Sequence, residues 1–132
     1  MADNMAFDPV DELVADIRAG KMVIITDDEN RENEGDLVAA AELVTPETIS
    51  FMAHHAGGLI CVPLDHEIAE HIGLVTGASM YDPFGTAFTQ SVDARKNTTT
   101  GISAFDRVAT IKALLDGKSH LEDFITDRKS VV

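Results

Sequence analysis

Six carboxylates crowd around one arginine in the segment Asp27-Asp28-Glu29-Asn30-Arg31-Glu32-Asn33-Glu34-Gly35-Asp36, which directly follows the apolar run Met22-Val23-Ile24-Ile25. Residues 22–26 read as a short buried strand. The acidic segment therefore falls at the C-terminal end of a strand, where open sheets tend to carry ligand loops. Like charges packed this closely repel. In an ordered loop they need a bound cation, the guanidinium of Arg31, or protonation of one member. The ordinary alternative is a solvated charged face. Two features point instead to a divalent metal and an anionic ligand. Arg31 can grip a phosphate or carboxylate through two parallel hydrogen bonds, and Gly35-Asp36 lets the backbone turn tightly and aim a carboxylate inward.

The chain has 132 residues, and its formal net charge of −13 excludes a nucleic-acid or anionic-membrane partner. Both demand a basic footprint. A small anionic substrate stays open, because a divalent ion beside an arginine can invert the potential locally. Cys61 is the only cysteine, so no intramolecular disulfide and no multi-thiolate metal site can form within one chain. The first eight residues lack the basic and apolar regions of a leader, and no apolar run approaches membrane-spanning length. A cytoplasmic, soluble protein of one domain is expected.

Along the chain, Asp8-Pro9 with Asp11 and Glu12 marks a helix start, with Val10, Leu13, Val14 and Ile17 on one face and Gly20 as the stop. Residues 37–43 leave strand and helix in competition, with a returning strand favoured. Thr45-Pro46-Glu47 opens a second helix that ends at Gly57-Gly58. Residues 59–63 read as a buried strand, Asp65 caps a brief helix ending near Gly73, and residues 77–85 form a loop. Residues 84–92 alternate like a strand. Asn97-Thr98-Thr99-Thr100-Gly101 is a polar turn, and Ser103 with Asp106 forms a capping pair for a helix over 104–116. Its Phe105, Val108, Ile111 and Leu115 should face the core. The sum is one α-and-β domain.

Residues 97–103 could bind an anion or sugar hydroxyl at a helix start, or be a turn followed by an ordinary cap. Arg95 and Lys96 could meet a phosphate or lie in solvent. His54 and His55 are adjacent on a helix and point apart, which excludes the i, i+4 zinc pair. His66 and His71 read as surface residues, and His120 lies past the last helix. Cys61, taken alone, is an inert core residue.

Three segments in order carry a resemblance: the acidic run from Asp27 through Leu37, then Gly58-Leu59-Ile60-Cys61-Val62, then Thr99-Thr100-Gly101-Ile102-Ser103-Ala104-Phe105-Asp106-Arg107. At this spacing they resemble the 3,4-dihydroxy-2-butanone 4-phosphate synthases of riboflavin biosynthesis, alone or as the first domain of a fusion with GTP cyclohydrolase II. The likeness runs over residues 10–124. It implies an α+β fold of three layers, with a mixed β-sheet flanked by helices. It also implies a homodimer and a lyase that converts ribulose 5-phosphate into formate and 3,4-dihydroxy-2-butanone 4-phosphate with Mg2+ or Mn2+.

By position, the resemblance implies that Arg31, Glu32, Asp36, Cys61 and Thr100 contact the sugar phosphate. Glu32 also binds metal, and Glu34 and Asp36 serve as the acid/base groups. Family members continue past Phe124 with an Arg-x-Gly-His-Thr segment and a later Glu, whereas this chain reads Ile125-Thr126-Asp127-Arg128-Lys129-Ser130-Val131-Val132. The resemblance thus implies a domain incomplete at its C-terminus. The alternative to the synthase is a catalytically incomplete acidic fragment that binds metal or dimerises.

Overall fold

The computed structural model describes residues 7–74 and 87–126. The expected loop over 77–85, the first residues of the expected strand at 84–92, most of the N-terminal segment before Asp8 and the final residues from Asp127 lie outside them. The chain divides into two compact units, Met1–Val44 and Thr45–Val132.

In the first unit, helix α1 covers Val10–Arg18, with Pro9 at the cap position and Asp11 and Glu12 in the first turn. The acidic first turn complements the positive end of the helix dipole. The helix stops as expected at Gly20, whose φ of 81° few other residues adopt. Its apolar face is only partly covered, with Leu13 and Ile17 half-buried while Val10 and Val14 stay exposed. Strand β1, Val23–Thr26, pairs antiparallel with β2, Gly35–Val38, in the register Val23 to Val38 and Ile25 to Asp36.

The sequence reading is corrected here on two points. β1 is not a buried strand: Val23 is buried, but Ile24 and Ile25 are 65% and 50% exposed. An apolar run becomes a core strand only when both its faces are covered, and a two-stranded ribbon supplies no such cover. The returning strand begins at Gly35 and stops at Val38, so residues 41–43 form a short 3-10 turn instead.

In the second unit, α2 covers Pro46–Phe51. The Thr45 hydroxyl accepts from Thr48 N–H and Thr48 Oγ1 accepts from Thr45 N–H, a reciprocal cap. A π-helical turn, Met52–Ala56, continues to Gly57. Helix α3, His66–Ile72, begins at Asp65, whose carboxylate accepts from Glu67 N–H, and ends at Gly73. Residues 59–63 form no strand. Ile60 and Val62 are half-buried and Leu59, Cys61 and Pro63 exposed, the alternation of a strand without a ladder partner among the described residues. Periodicity specifies a face, whereas a strand also needs a neighbouring backbone.

Strand β3, Asp93–Ala94, pairs antiparallel with β4, Phe124–Ile125, and α4 covers Ala104–Leu115. Ile72, Leu74, Val92, Leu114 and Phe124 form the core, with Val62, Leu64, Ala69 and Ala113 packed around it. The buried arc of α4 is Asp106, Val108, Thr110, Ile111 and Leu114. Phe105 and Leu115, expected in the core, are 74% and 40% exposed. A polar ridge of Asp106 and Thr110, invisible to an apolar-period reading, rotates the buried face away from them.

Candidate functional site

The acidic loop is organised by a residue that charge counting does not single out. Asp27 stands immediately after β1, and its Oδ1 accepts the Glu34 amide at 2.9 Å while its Oδ2 accepts the Glu32 amide at 2.9 Å. One carboxylate thus closes the loop across seven residues. Arg31 Nη1 lies 3.5 Å from Asp27 Oδ2, and Arg31 Nη2 lies 3.4 Å from Glu32 Oε1. The Glu34 amide, the Glu32 amide and the Arg31 guanidinium together hold the Asp27 carboxyl below the usual carboxylate range, against a smaller opposing effect of desolvation.

Asp28 closes a smaller turn by accepting from the amide and side chain of Asn30. Asn33 takes φ 52°, which Asn tolerates better than most residues. Of the residues marked in the sequence, Arg31 and Glu32 are brought together as an ion pair. Glu34 contributes its amide to the closure, and Asp36 lies exposed on β2 opposite Ile25.

Among the described residues, no three or more His, Cys, Asp or Glu side chains converge to hold a metal ion. Asp27 is occupied by amides, so the donors left on the loop are oxygens of separate carboxylates. That set fits a hard ion taken by one or two carboxylates, with water and ligand oxygens completing its shell. It does not fit a cage built from protein alone.

The second unit holds Cys61 and Thr100. Cys61 is exposed, correcting the expectation of a core thiol, and its Sγ lies 4.0 Å from the Leu59 carbonyl oxygen. It borders a largely apolar cleft of about 400 Å3 with Leu64, His66, Phe88, Gln90 and Leu114. Thr100 does not line this cleft.

Thr100 occupies the middle of the polar turn before α4, where three successive threonines have different fates. Thr98 donates its hydroxyl to the Ala94 carbonyl. Thr99 donates its hydroxyl to Asp106 Oδ2 at 2.8 Å. Thr100 is exposed, and among the described residues no hydrogen bond takes up its hydroxyl. Asp106 Oδ2 also accepts the amides of Thr99 at 3.0 Å and Gly101 at 2.9 Å. Burial alone would raise its carboxyl, but the Gly101 and Thr99 amides and the Thr99 and Ser103 hydroxyls outweigh that and hold it below its ordinary value.

Beneath the turn lies Asp93, fully buried, with neither carboxylate oxygen meeting a hydrogen-bond donor among the described residues. It packs directly on Gly101, where a Cβ would collide with the Asp93 carboxylate. Gly101 also has φ 90°, so the position excludes a side chain twice over. Of the histidines, His54 Nδ1 is 2.7 Å from the Ser50 carbonyl oxygen, and the His55 ring packs 4.4 Å from Phe51. The two point apart, as their spacing predicts.

Sequence reasoning named Asp27 within the acidic run and Asp106 as the capping partner of Ser103, a pair the structure keeps, but it missed the amides these two carboxylates accept and the buried place of Asp93. The available signals were slight. Asp27 is the first polar residue but one after an apolar strand, Asp93 is a lone acid inside Val92-Asp93-Ala94, and Asp106 is three residues after a serine cap.

Comparison with known proteins gives the same assignment along independent lines. The profile of the 3,4-dihydroxy-2-butanone 4-phosphate synthase family matches residues 11–127. The chain is 51% identical over 122 residues to the 3,4-dihydroxy-2-butanone 4-phosphate synthase of Neisseria meningitidis serogroup B, covering 89% of this chain and 32% of that protein. It is 50% identical over 119 residues to riboflavin biosynthesis protein RibBA of Rhodococcus jostii, covering 89% of this chain and 28% of the relative. This chain therefore spans about a third or less of these curated relatives.

Among solved structures, a 3,4-dihydroxy-2-butanone 4-phosphate synthase in complex with two magnesium ions superposes with a TM-score of 0.87 at 40% identity, over 95% of this chain and 58% of that one. The enzyme of Candida albicans superposes with a TM-score of 0.81 at 40% identity, over 95% and 61%. The α+β class expected from the sequence stands, with helices and small antiparallel sheets in the described residues. With the acidic loop, the Cys61 segment and the threonine turn all inside the matched span, the chain belongs to the 3,4-dihydroxy-2-butanone 4-phosphate synthase family.

Proposed function

We propose that the chain carries the first part of a lyase that converts ribulose 5-phosphate into 3,4-dihydroxy-2-butanone 4-phosphate and formate. The observation that carries this reading is the closure of the acidic loop by Asp27, which holds Arg31 and Glu32 as a defined pair instead of a solvated charge run. Arg31 and Glu32 are the candidate contacts to the sugar phosphate and Asp36 to its hydroxyls, with Cys61 and Thr100 as further candidate substrate contacts. Glu34 and Asp36 take and return the protons that enediol formation and dehydration require. Glu32 is the protein ligand of a magnesium or manganese ion, which would polarise neighbouring substrate oxygens when bound. The two-magnesium complex of the solved relative supports a divalent ion.

The working protein is a single synthase domain that acts as a cytoplasmic homodimer, in keeping with one cysteine and with exposed Ile24, Leu59 and Phe105. No helix among the described residues is long and apolar enough to cross a membrane.

A second reading is an acidic metal-binding or dimerising module without turnover, in keeping with loop carboxylates that, among the described residues, do not converge three at a time. Formate release from ribulose 5-phosphate with magnesium separates the two. The chain is assayed alone and joined to the C-terminal remainder of its Neisseria relative. Release of formate by either protein supports the synthase reading. The joined protein should release formate, and Asp36→Asn should cancel it. Absence of formate from the joined protein would favour the second reading.

A further inference from the structure

We propose that Asp106 is the positioning residue for Thr100, and that its carboxylate fixes the direction in which the Thr100 hydroxyl is presented to the sugar phosphate. The inference rests on the reading of Thr100 as a substrate contact. Its geometry stands apart from that reading. The groups that Asp106 Oδ2 binds are the amide and hydroxyl of Thr99 and the amide of Gly101, at 3.0, 2.8 and 2.9 Å. They bracket Thr100, so the Thr98–Thr99 and Thr100–Gly101 peptide units and the Thr99 side chain are tied to one oxygen. The hydroxyl of Thr100 remains outside the network.

Asp106 is itself anchored. Its amide donates to Ser103 Oγ at 3.0 Å, and its carbonyl accepts the Thr110 hydroxyl at 3.1 Å. Thr110 Oγ1 in turn accepts the Ala94 amide at 2.9 Å, which links the turn to β3. The Asp106–Thr110 and Thr110–Ala94 bonds are buried, so water does not compete for them and each is worth more than a surface equivalent. From beneath, the Asp93 carboxylate fills the space a Cβ at position 101 would need. The turn is held by hydrogen bonds on one side and by close packing on the other.

An ordinary helix cap would explain the bond from the Asp106 amide to Ser103. It does not explain a buried carboxylate that spends one oxygen on three donors flanking a single exposed hydroxyl. Isosteric Asp106→Asn keeps the side-chain shape but removes the charge that strengthens all three bonds.

The test uses the full chain in solution. Three-bond couplings from isotope-labelled protein report the χ1 rotamer of Thr100, and titration with ribulose 5-phosphate reports binding. In the parent protein Thr100 should hold one rotamer. It should average over several in Asp106→Asn and stay fixed in Ile111→Val, a core change that also lowers stability. Thr99→Val, which deletes only the hydroxyl arm, should give a smaller change in the same direction and decides the matter if Asp106→Asn does not fold. Dissociation constants should rise at least about tenfold for Asp106→Asn and for Thr100→Val, the scale of a lost charge-assisted contact. The double variant should bind no more weakly than Thr100→Val alone. An unchanged Thr100 rotamer, or losses that add in the double variant, would overturn the proposal. Averaged rotamers with binding indifferent to Thr100→Val would overturn the substrate role of Thr100 instead, and with it the part of Asp106 in the reaction.

Discussion

Two aspartates set the local geometry of this molecule, and both do so by accepting backbone N–H groups. Asp27 closes the acidic loop and Asp106 closes the threonine turn. Each has a carboxyl held below the ordinary aspartate range. A carboxyl whose folded value is depressed adds stability that is present above the unfolded value and lost as pH falls through the folded one. Thermal stability should therefore fall as pH drops below about 4, the unperturbed aspartate range. Asp106→Asn should lower the melting temperature at pH 7 and flatten its decline in acid. An acid decline equally steep in parent and variant would remove Asp106 from the linkage. Charge density made Arg31, Glu32, Glu34 and Asp36 conspicuous in the sequence. Residues whose work is to receive amides leave no such mark, because the donors are identical at every position.

At the scale of elements, what could be read depended on whether the signal was local. The starts at Asp65 and Ser103 and the stops at Gly20, Gly57 and Gly73 are written within a few residues of where they act, and all stand in the structure. Thr45 belongs to the same group, with Thr48 in place of the acidic or amide partner usual in a capping box. Thr45→Ala should cost about 1 kcal/mol, or about 4 °C in melting temperature for a chain of this size, measured by circular dichroism. A change under a degree would mean that packing, and not the cap, holds α2. Strands were harder, since pairing depends on distant backbone. Residues 59–63 have the period of a strand and no partner among the described residues, and β1 has the composition of a core strand with the exposure of a surface ribbon. The α4 face was misread at Phe105 and Leu115 because its buried arc includes an aspartate and a threonine.

For the whole molecule, a formal net charge of −13 means that folding gathers like charge, and any cation relieves part of that repulsion. Specific binding is distinguishable from screening. Magnesium or manganese should raise the melting temperature more than sodium chloride at equal ionic strength, because a ligand selective for the native state stabilises it by mass action. Glu32→Gln should remove the excess and leave the salt response in place. Equal divalent effects in both proteins would take Glu32 out of the metal site. The exposed position of Cys61 has a practical side of its own. The chain's only thiol stands at the rim of an apolar cleft, so a nitroxide or fluorophore attached there would report from one known address without any background cysteine to remove. Its mobility would fall when the cleft fills, which makes the parent sequence its own spectroscopic sensor.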